Sequence, residues 1–218
     1  MSLEERIGYN FNNKDLLHVA LSHTSYANET KNAQSNERIE YLGDAVLELI
    51  SSEYIYKTYP NLPEGEMTKT RAYAVCENSL AKVANKYDFS EYLLVGKCEG
   101  MVNGKYRNSI LADAVEAVIG AIFLDAGIEK AKDFILPNII PQIEDYIKNG
   151  NKDYKTQLQE KLQVHGDVKI EYRLVEEKGP DHEKIFVVEV YCNDKLLGKG
   201  EGRSKKEAEM RAAQIALQ

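Results

Sequence analysis

Asp113 and Glu116 sit three residues apart inside ILADAVEAVIGAIFLD, residues 110–125. Projected at 100° per residue, the Ile, Leu, Val and Phe side chains of this stretch surround nearly the whole circumference, which predicts a helix buried on almost every side. Carboxylates at that spacing share one face, with Cβ atoms about 5 to 6 Å apart. Taking each ionised group out of water costs several kcal/mol unless something compensates it. Two compensations are open: ion pairs, for which Arg38, Arg71, Lys105 and Arg107 are candidates, or a divalent cation.

A second acidic face lies upstream. In ERIEYLGDAVLEL, Glu37, Glu40, Asp44 and Glu48 fall within an arc of about 80°, with Ile39, Leu42, Val46, Leu49 and Ile50 on the opposite side. A surface helix showing its acids to water gives the same pattern, and periodicity does not prefer Glu40 and Asp44 over Glu48. If both helices contribute, carboxylates without a His or Cys suit a hard cation such as Mg²⁺ or Mn²⁺. Gly120 and Ala117 share the sector of Asp113 and Glu116, which would admit close approach of a helix, a backbone or a hydrated ion. His18, His23, His165 and His182 show no ligand spacing, and neither a G-x-S-x-G elbow nor a Walker lysine motif is present. The GKGEG run at 198–202 lacks the context of a dinucleotide site and reads as a turn.

Positioning these acids falls to a succession of helices. NKDLLHVALSHTS, ERIEYLGDAVLELISSEYIYKTY and EGEMTKTRAYAVCENSLAKVANKY all carry helical periodicity, and the helix bearing Asp113 should end at Gly127. IEKAKDFILPNIIPQIEDYI follows, with Pro137 and Pro141 expected to interrupt or kink it. The polar KNGNKD run, 148–153, reads as a hinge. Beyond it come a helix, three strands and a closing helix whose Ser204 and Glu207 form an S-x-x-E capping signature. The expected fold is an all-α N-terminal domain, 1–148, a linker, 149–152, and a small α+β domain of order α-β-β-β-α, 153–218.

Composition agrees with a soluble globular chain: 218 residues, 43% hydrophobic and 29% charged. Cys76, Cys98 and Cys192 form no C-x-x-C pair, so neither a disulfide framework nor a familiar zinc site is suggested. The N-terminus lacks a cationic and then apolar leader, and no apolar run nears the roughly 18 residues of a membrane span. A cytoplasmic, non-membrane protein is expected. The net charge of −7 resides entirely in the first 151 residues, which hold 15 Lys and Arg against 22 Asp and Glu; the remainder holds 13 of each. In that neutral tail, Arg203, Lys205 and Lys206 crowd the start of the last helix, where they oppose the helix dipole. Such a cluster is either a solvated face steadied by Glu207 and Glu209 or a grip for phosphates.

NERIEYLGDAVLEL followed by ILADAVEAVIGAIFLD resembles the catalytic domain of bacterial ribonuclease III, and the tail with LQEKLQ, GPDHEK and GRSKKEAE resembles its double-stranded RNA-binding domain. The resemblance spans nearly the whole chain. It implies that Glu40, Asp44, Asp113 and Glu116 hold the metal, with Glu116 the bridge between two ions, and that Glu37 and Glu64 lie near the cleft. It also implies that Gln159, Glu160, Gln163 and His182 meet successive minor grooves of the duplex, while Arg203, Ser204, Lys205 and Lys206 cross the major groove on phosphates. Departures lie in NGKYRNSILAD, at Asn103, Lys105 and Asn108, and at Met210; none is an implied ligand.

The expected activity is hydrolysis of double-stranded RNA in rRNA and mRNA processing by a homodimer that leaves 5′-phosphate and 3′-hydroxyl ends with short 3′ overhangs. Two Mg²⁺ ions about 3.5 to 4 Å apart, replaceable by Mn²⁺, would activate water and stabilise the leaving oxygen, with no nucleotide cofactor. A non-cutting RNA-binding protein and a purely structural helical dimer are the rival readings.

Overall fold

The computed structural model describes residues 1–97, 106–149, 154–163, 168–180 and 184–217. The described chain divides into two compact units, Met1–Lys148 and Asn149–Gln218. Of the expected linker, 150–152 lie outside the described residues, and the last helix of the first unit runs to Asn149.

The first unit is helical: α1 (Leu3–Ile7), α2 (Lys14–Ala20), α3 (Thr24–Glu29), α4 (Glu37–Thr58), α5 (Glu64–Ala74), α6 (Glu77–Lys86), α7 (Asn108–Ala126) and α8 (Ile128–Asn149). Two stretches with continuous periodicity are each split. His23 ends the first by capping α3, its side chain accepting from the Ser25 amide. Val75 and Cys76 separate α5 from α6. Conversely, Pro137 and Pro141 lie inside the single helix α8 rather than ending it. Each proline removes one ladder bond, and the buried Ile135, Ile139 and Ile143 show what holds the helix together across the gaps.

α7 is the central element. Ala114, Ala117, Val118, Ala121 and Ile122 are all 0% exposed, so the near-continuous apolar circumference read from the sequence reflects neighbours on most sides. Gly127, at φ 82°, closes the helix. At its last turn Asp125 accepts from the Tyr9 hydroxyl at 2.6 Å and from the Asn12 and Asn13 amides at 2.8 and 2.9 Å, which pins the N-terminal segment to the core.

In the second unit, α9 (Tyr154–Gln163) precedes an antiparallel sheet of order β1-β2-β3, formed by Ile170–Lys178, Ile185–Cys192 and Lys195–Gly202, and α10 (Lys205–Leu217) follows. β2 and β3 are joined by Asn193 and Asp194, at φ 46° and 65°, residue types that tolerate the left-handed conformation a two-residue hairpin needs. The GKGEG run is part of β3 and not a turn. Its glycines alternate onto the face covered by α10, where a Cβ at Gly200 would lie 2.2 Å from the Ala212 amide nitrogen. Ala208, Ala212 and Ala213 are correspondingly buried, so small residues on both sides let helix and sheet meet closely.

Candidate metal centre and RNA-binding surface

The acids converge because α4 and α7 cross with almost no side chain between them. A Cβ on Gly43 would fall 1.8 Å from the Glu116 carbonyl oxygen, and one on Gly120 would fall 2.3 Å from the Ile39 carbonyl oxygen. The small neighbour read at Gly120 therefore admits a second helix. Its counterpart Gly43 had no signal in the periodicity. The start of α4 is fixed by buried Asn36, whose amide donates to the Ser22 carbonyl at 2.8 Å and whose carbonyl accepts from the Ile39 and Glu40 amides. Glu37 and Glu40 thus occupy a first helical turn, where the dipole favours negative charge.

Glu40, Asp113 and Glu116, all half-buried, each place a carboxylate oxygen within 4.8 Å of the others. Asp44, one turn along α4, is exposed and outside that trio. Glu37 is also exposed and accepts from the Ser35 hydroxyl at 2.8 Å. Glu64 is not brought to the trio within this chain; it lines a separate cleft with Ser52, Ile55, Tyr56, Met67, Thr68 and Arg71.

Of the four cations that could pair with these acids, Lys105 lies outside the described residues. Among the described residues, no lysine or arginine forms an ion pair with Glu40, Asp44, Asp113 or Glu116; Arg71 turns instead to Glu48 at 4.0 Å and to the Ser52 hydroxyl at 3.0 Å. Burial, then Asp44, Glu40, Asp113 and Glu48, push Glu116 up to about 8. Glu40 is raised by burial and then by Asp113, Glu37 and Asp44. Asp113 is raised chiefly by burial, with His23 opposing and Glu77 adding to the shift. His23 and Glu77 carry no ligand spacing in the sequence, and only the fold puts their charges beside Asp113. An all-oxygen donor set whose members repel one another fits a hard divalent cation.

A consequence concerns stability. A carboxyl whose pKa is raised on folding binds its proton more tightly folded than unfolded, so its contribution is fully present below the unfolded value and is lost as pH rises through the folded one. The metal-free chain is expected to lose thermal stability between about pH 4.5 and 8, and Mg²⁺ should reduce that loss. Unfolding curves across this range in chelator and in Mg²⁺ check it; a Glu116→Gln chain with the same pH slope as the parent would contradict it.

In the second unit, Gln159 and Gln163 line a cleft with Lys155, Val168, Ile170 and Tyr172. Arg203, Ser204, Lys205 and Lys206 are exposed at the start of α10. The Ser204 hydroxyl caps the helix by accepting from the Glu207 amide at 3.2 Å, while Glu207 reaches back to the Arg203 amide at 2.9 Å. His182 and the side chain of Glu160 lie outside the described residues.

A helical unit with a carboxylate cluster at a glycine-mediated crossing thus precedes an α-β-β-β-α module with a basic helix start. Residues 13–143 match the family model described as Ribonuclease-III-like, and residues 154–218 match the double-stranded RNA binding motif. The chain belongs to the ribonuclease III family, the double-stranded-RNA-specific endoribonucleases. It is 49% identical over 217 residues to Ribonuclease 3 of Oceanobacillus iheyensis, covering 99% of this chain and 95% of the relative. Identity to Ribonuclease 3 of Enterococcus faecalis is 50%, covering 99% and 94%. A solved nuclease domain of ribonuclease III from Campylobacter jejuni, in which a region involved in dimer formation is flexible, superposes with a TM-score of 0.59 at 43% identity, covering 64% of this chain and 95% of that one. No helix among the described residues is long and apolar enough to cross a membrane.

Proposed function

We propose that this chain cuts double-stranded RNA at the α4–α7 crossing in the course of rRNA and mRNA processing, using Mg²⁺, two ions per site, with Mn²⁺ able to substitute. The observation that carries the reading is the trio of Glu40, Asp113 and Glu116, to which no lysine or arginine among the described residues is paired. Bound divalent metal supplies Lewis-acid stabilisation of phosphoryl charge and lowers the pKa of water. The chain's part is to hold that charge in place. Glu116, Glu40 and Asp113 would hold the metal, Glu116 as the ligand common to both ions, and Asp44 would complete the set from the exposed side. Glu37 stands beside Glu40 and adds negative potential there. No side chain acts as a nucleophile, and the products carry 5′-phosphate and 3′-hydroxyl ends with short 3′ overhangs.

The working form is a homodimer, with one site for each RNA strand. Tyr41, Leu49 and Tyr56 are 80%, 62% and 70% exposed along one stripe of α4, bordering the acidic face. Leu49, whose spacing predicts a core position, belongs to this stripe. Burying it against a second copy accounts for apolar side chains otherwise left in water, and Glu64, remote from its own trio, then serves the dimer's cleft. In the tail, Gln159, Glu160, Gln163 and His182 meet the minor grooves, and Arg203, Ser204, Lys205 and Lys206 grip phosphates across the major groove.

Incubation of the purified chain with a long perfect RNA duplex, with and without Mg²⁺, tests the proposal. Shortening of the duplex only with Mg²⁺ is expected. Protection without cutting would favour a pure RNA binder, and no association would favour a structural scaffold.

A further inference from the structure

Antiparallel pairing carries Ile170, Tyr172 and Leu174 of β1 onto the sheet face covered by the helices, opposite Cys192, Val190 and Val188. The pairing then shifts register between Leu174 and Glu176, so that Glu176 faces Val187 and Glu177 faces Phe186. A bulge of this kind reverses the alternation of side chains beyond it. It turns the acid Glu177, in place of Glu176, toward the side of the sheet where α10 begins. There the Glu177 carboxylate lies 3.6 Å from Lys205 Nζ and 2.9 Å from Lys184 Nζ. Lys205 Nζ also stands 5.7 Å from the centroid of the Phe186 ring, the cross-strand partner of Glu177. One of the basic residues at the head of α10 is thus held by a carboxylate of its own domain.

We propose that Glu177 is an internal competitor of the RNA backbone for Lys205 and thereby sets both the strength and the salt dependence of duplex binding. The inference rests on the reading of Lys205 as a phosphate contact. A phosphate and the Glu177 carboxylate offer the same ammonium the same kind of charged oxygen. On binding, Lys205 exchanges one for the other, and Glu177, left beside Lys184 and a polyanion, recruits a salt cation. That uptake offsets part of the counterion release that drives binding. The Glu177–Lys205 contact is solvent-exposed, 34% and 59% at the two side chains, so the competition is modest and reversible. A modest brake of this kind lets a sequence-tolerant module leave its product.

The test uses the full chain and a perfect RNA duplex with divalent metal withheld, so that the duplex stays intact and only monovalent salt competes. Affinity is measured by fluorescence anisotropy across a salt series for the parent, Glu177→Gln, Lys205→Ala and the double variant. Glu177→Gln is expected to tighten binding roughly two- to five-fold at low salt and to steepen the slope of log affinity against log salt by about one. Both effects should be largely lost in the Lys205→Ala background. Glu176→Gln, which removes the same charge from the opposite face where Glu176 meets Lys178 at 3.2 Å, should change the slope much less. An unchanged slope in Glu177→Gln, weaker binding, or a gain equally large without Lys205 would overturn the inference. If Lys205→Ala itself leaves affinity unchanged, the phosphate assignment of Lys205 fails; if Lys205→Ala weakens binding and Glu177→Gln does nothing, only the competition fails.

Discussion

Replacing Glu116 by glutamine is expected to lower cleavage of a duplex by about 10²- to 10³-fold or more, the scale on which loss of one preorganised charge-stabilising group acts. Duplex affinity should change little, because the basic surface of the second unit is untouched. Glutamine preserves the shape and one oxygen of the side chain but removes the charge. Of the three acids, Glu116 has its carboxyl pushed furthest, up to about 8, by burial and by Asp44, Glu40, Asp113 and Glu48 together. Glutamine removes the cost of protonating or ionising this carboxyl in the folded metal-free chain, so above about pH 4.5 the variant should unfold at a higher temperature in chelator than the parent does. Lower activity combined with higher apo stability identifies a functional carboxylate and excludes a structural one. If Glu116→Gln instead destabilised the chain and left cutting intact, the residue would belong to the scaffold.

Gly43→Ala should have the largest effect on stability. The added methyl would need to sit 1.8 Å from the Glu116 carbonyl oxygen, which belongs to the backbone of a buried helix and has no rotamer by which to move. Separation of α4 from α7 is the only relief. Overpacking of this severity costs about 3 kcal/mol, which for a unit of this size lowers the melting temperature by roughly 6 to 12 °C. Glu40 would also draw away from Asp113 and Glu116, so cleavage should fall even at temperatures where the chain remains folded. Gly65→Ala is the control, since nothing lies within 4 Å of the Cβ it would add in α5. It should be neutral or slightly stabilising, as alanine is a better helix former than glycine. Calorimetry of the two variants beside the parent checks this; equal melting temperatures would mean that the two helices do not meet as described.

The helical character of the first unit, the turn to strands after residue 166 and the burial of the α7 carboxylates were legible because each leaves a periodic mark along the chain. What was not legible lies in relations between elements. The arc of Glu37, Glu40, Asp44 and Glu48 is the same whether it faces water or metal, and only the crossing with α7 places Glu40 in the trio and leaves Asp44 outside it. Gly43 has no side chain to register in any hydrophobic pattern, yet it decides how closely the helices approach. Leu49 shows the converse: an apolar residue expected in the core lies on an exposed stripe, because periodicity reports that a side chain avoids water without reporting which surface covers it. The alternating glycines of β3 resembled a turn because glycine favours turns and close helix–sheet contacts alike. A bulge in β1 leaves no composition signal, so the meeting of Glu177 with Lys205 could be seen only once the register was known.

The most direct test of the metal centre is a crystal of this chain soaked in manganese and measured where that ion scatters anomalously. Anomalous density is expected among the carboxylates of Glu40, Asp113 and Glu116. A featureless map at that position, with an arginine or lysine side chain neutralising those oxygens, would contradict the reading of this crossing as a cation site.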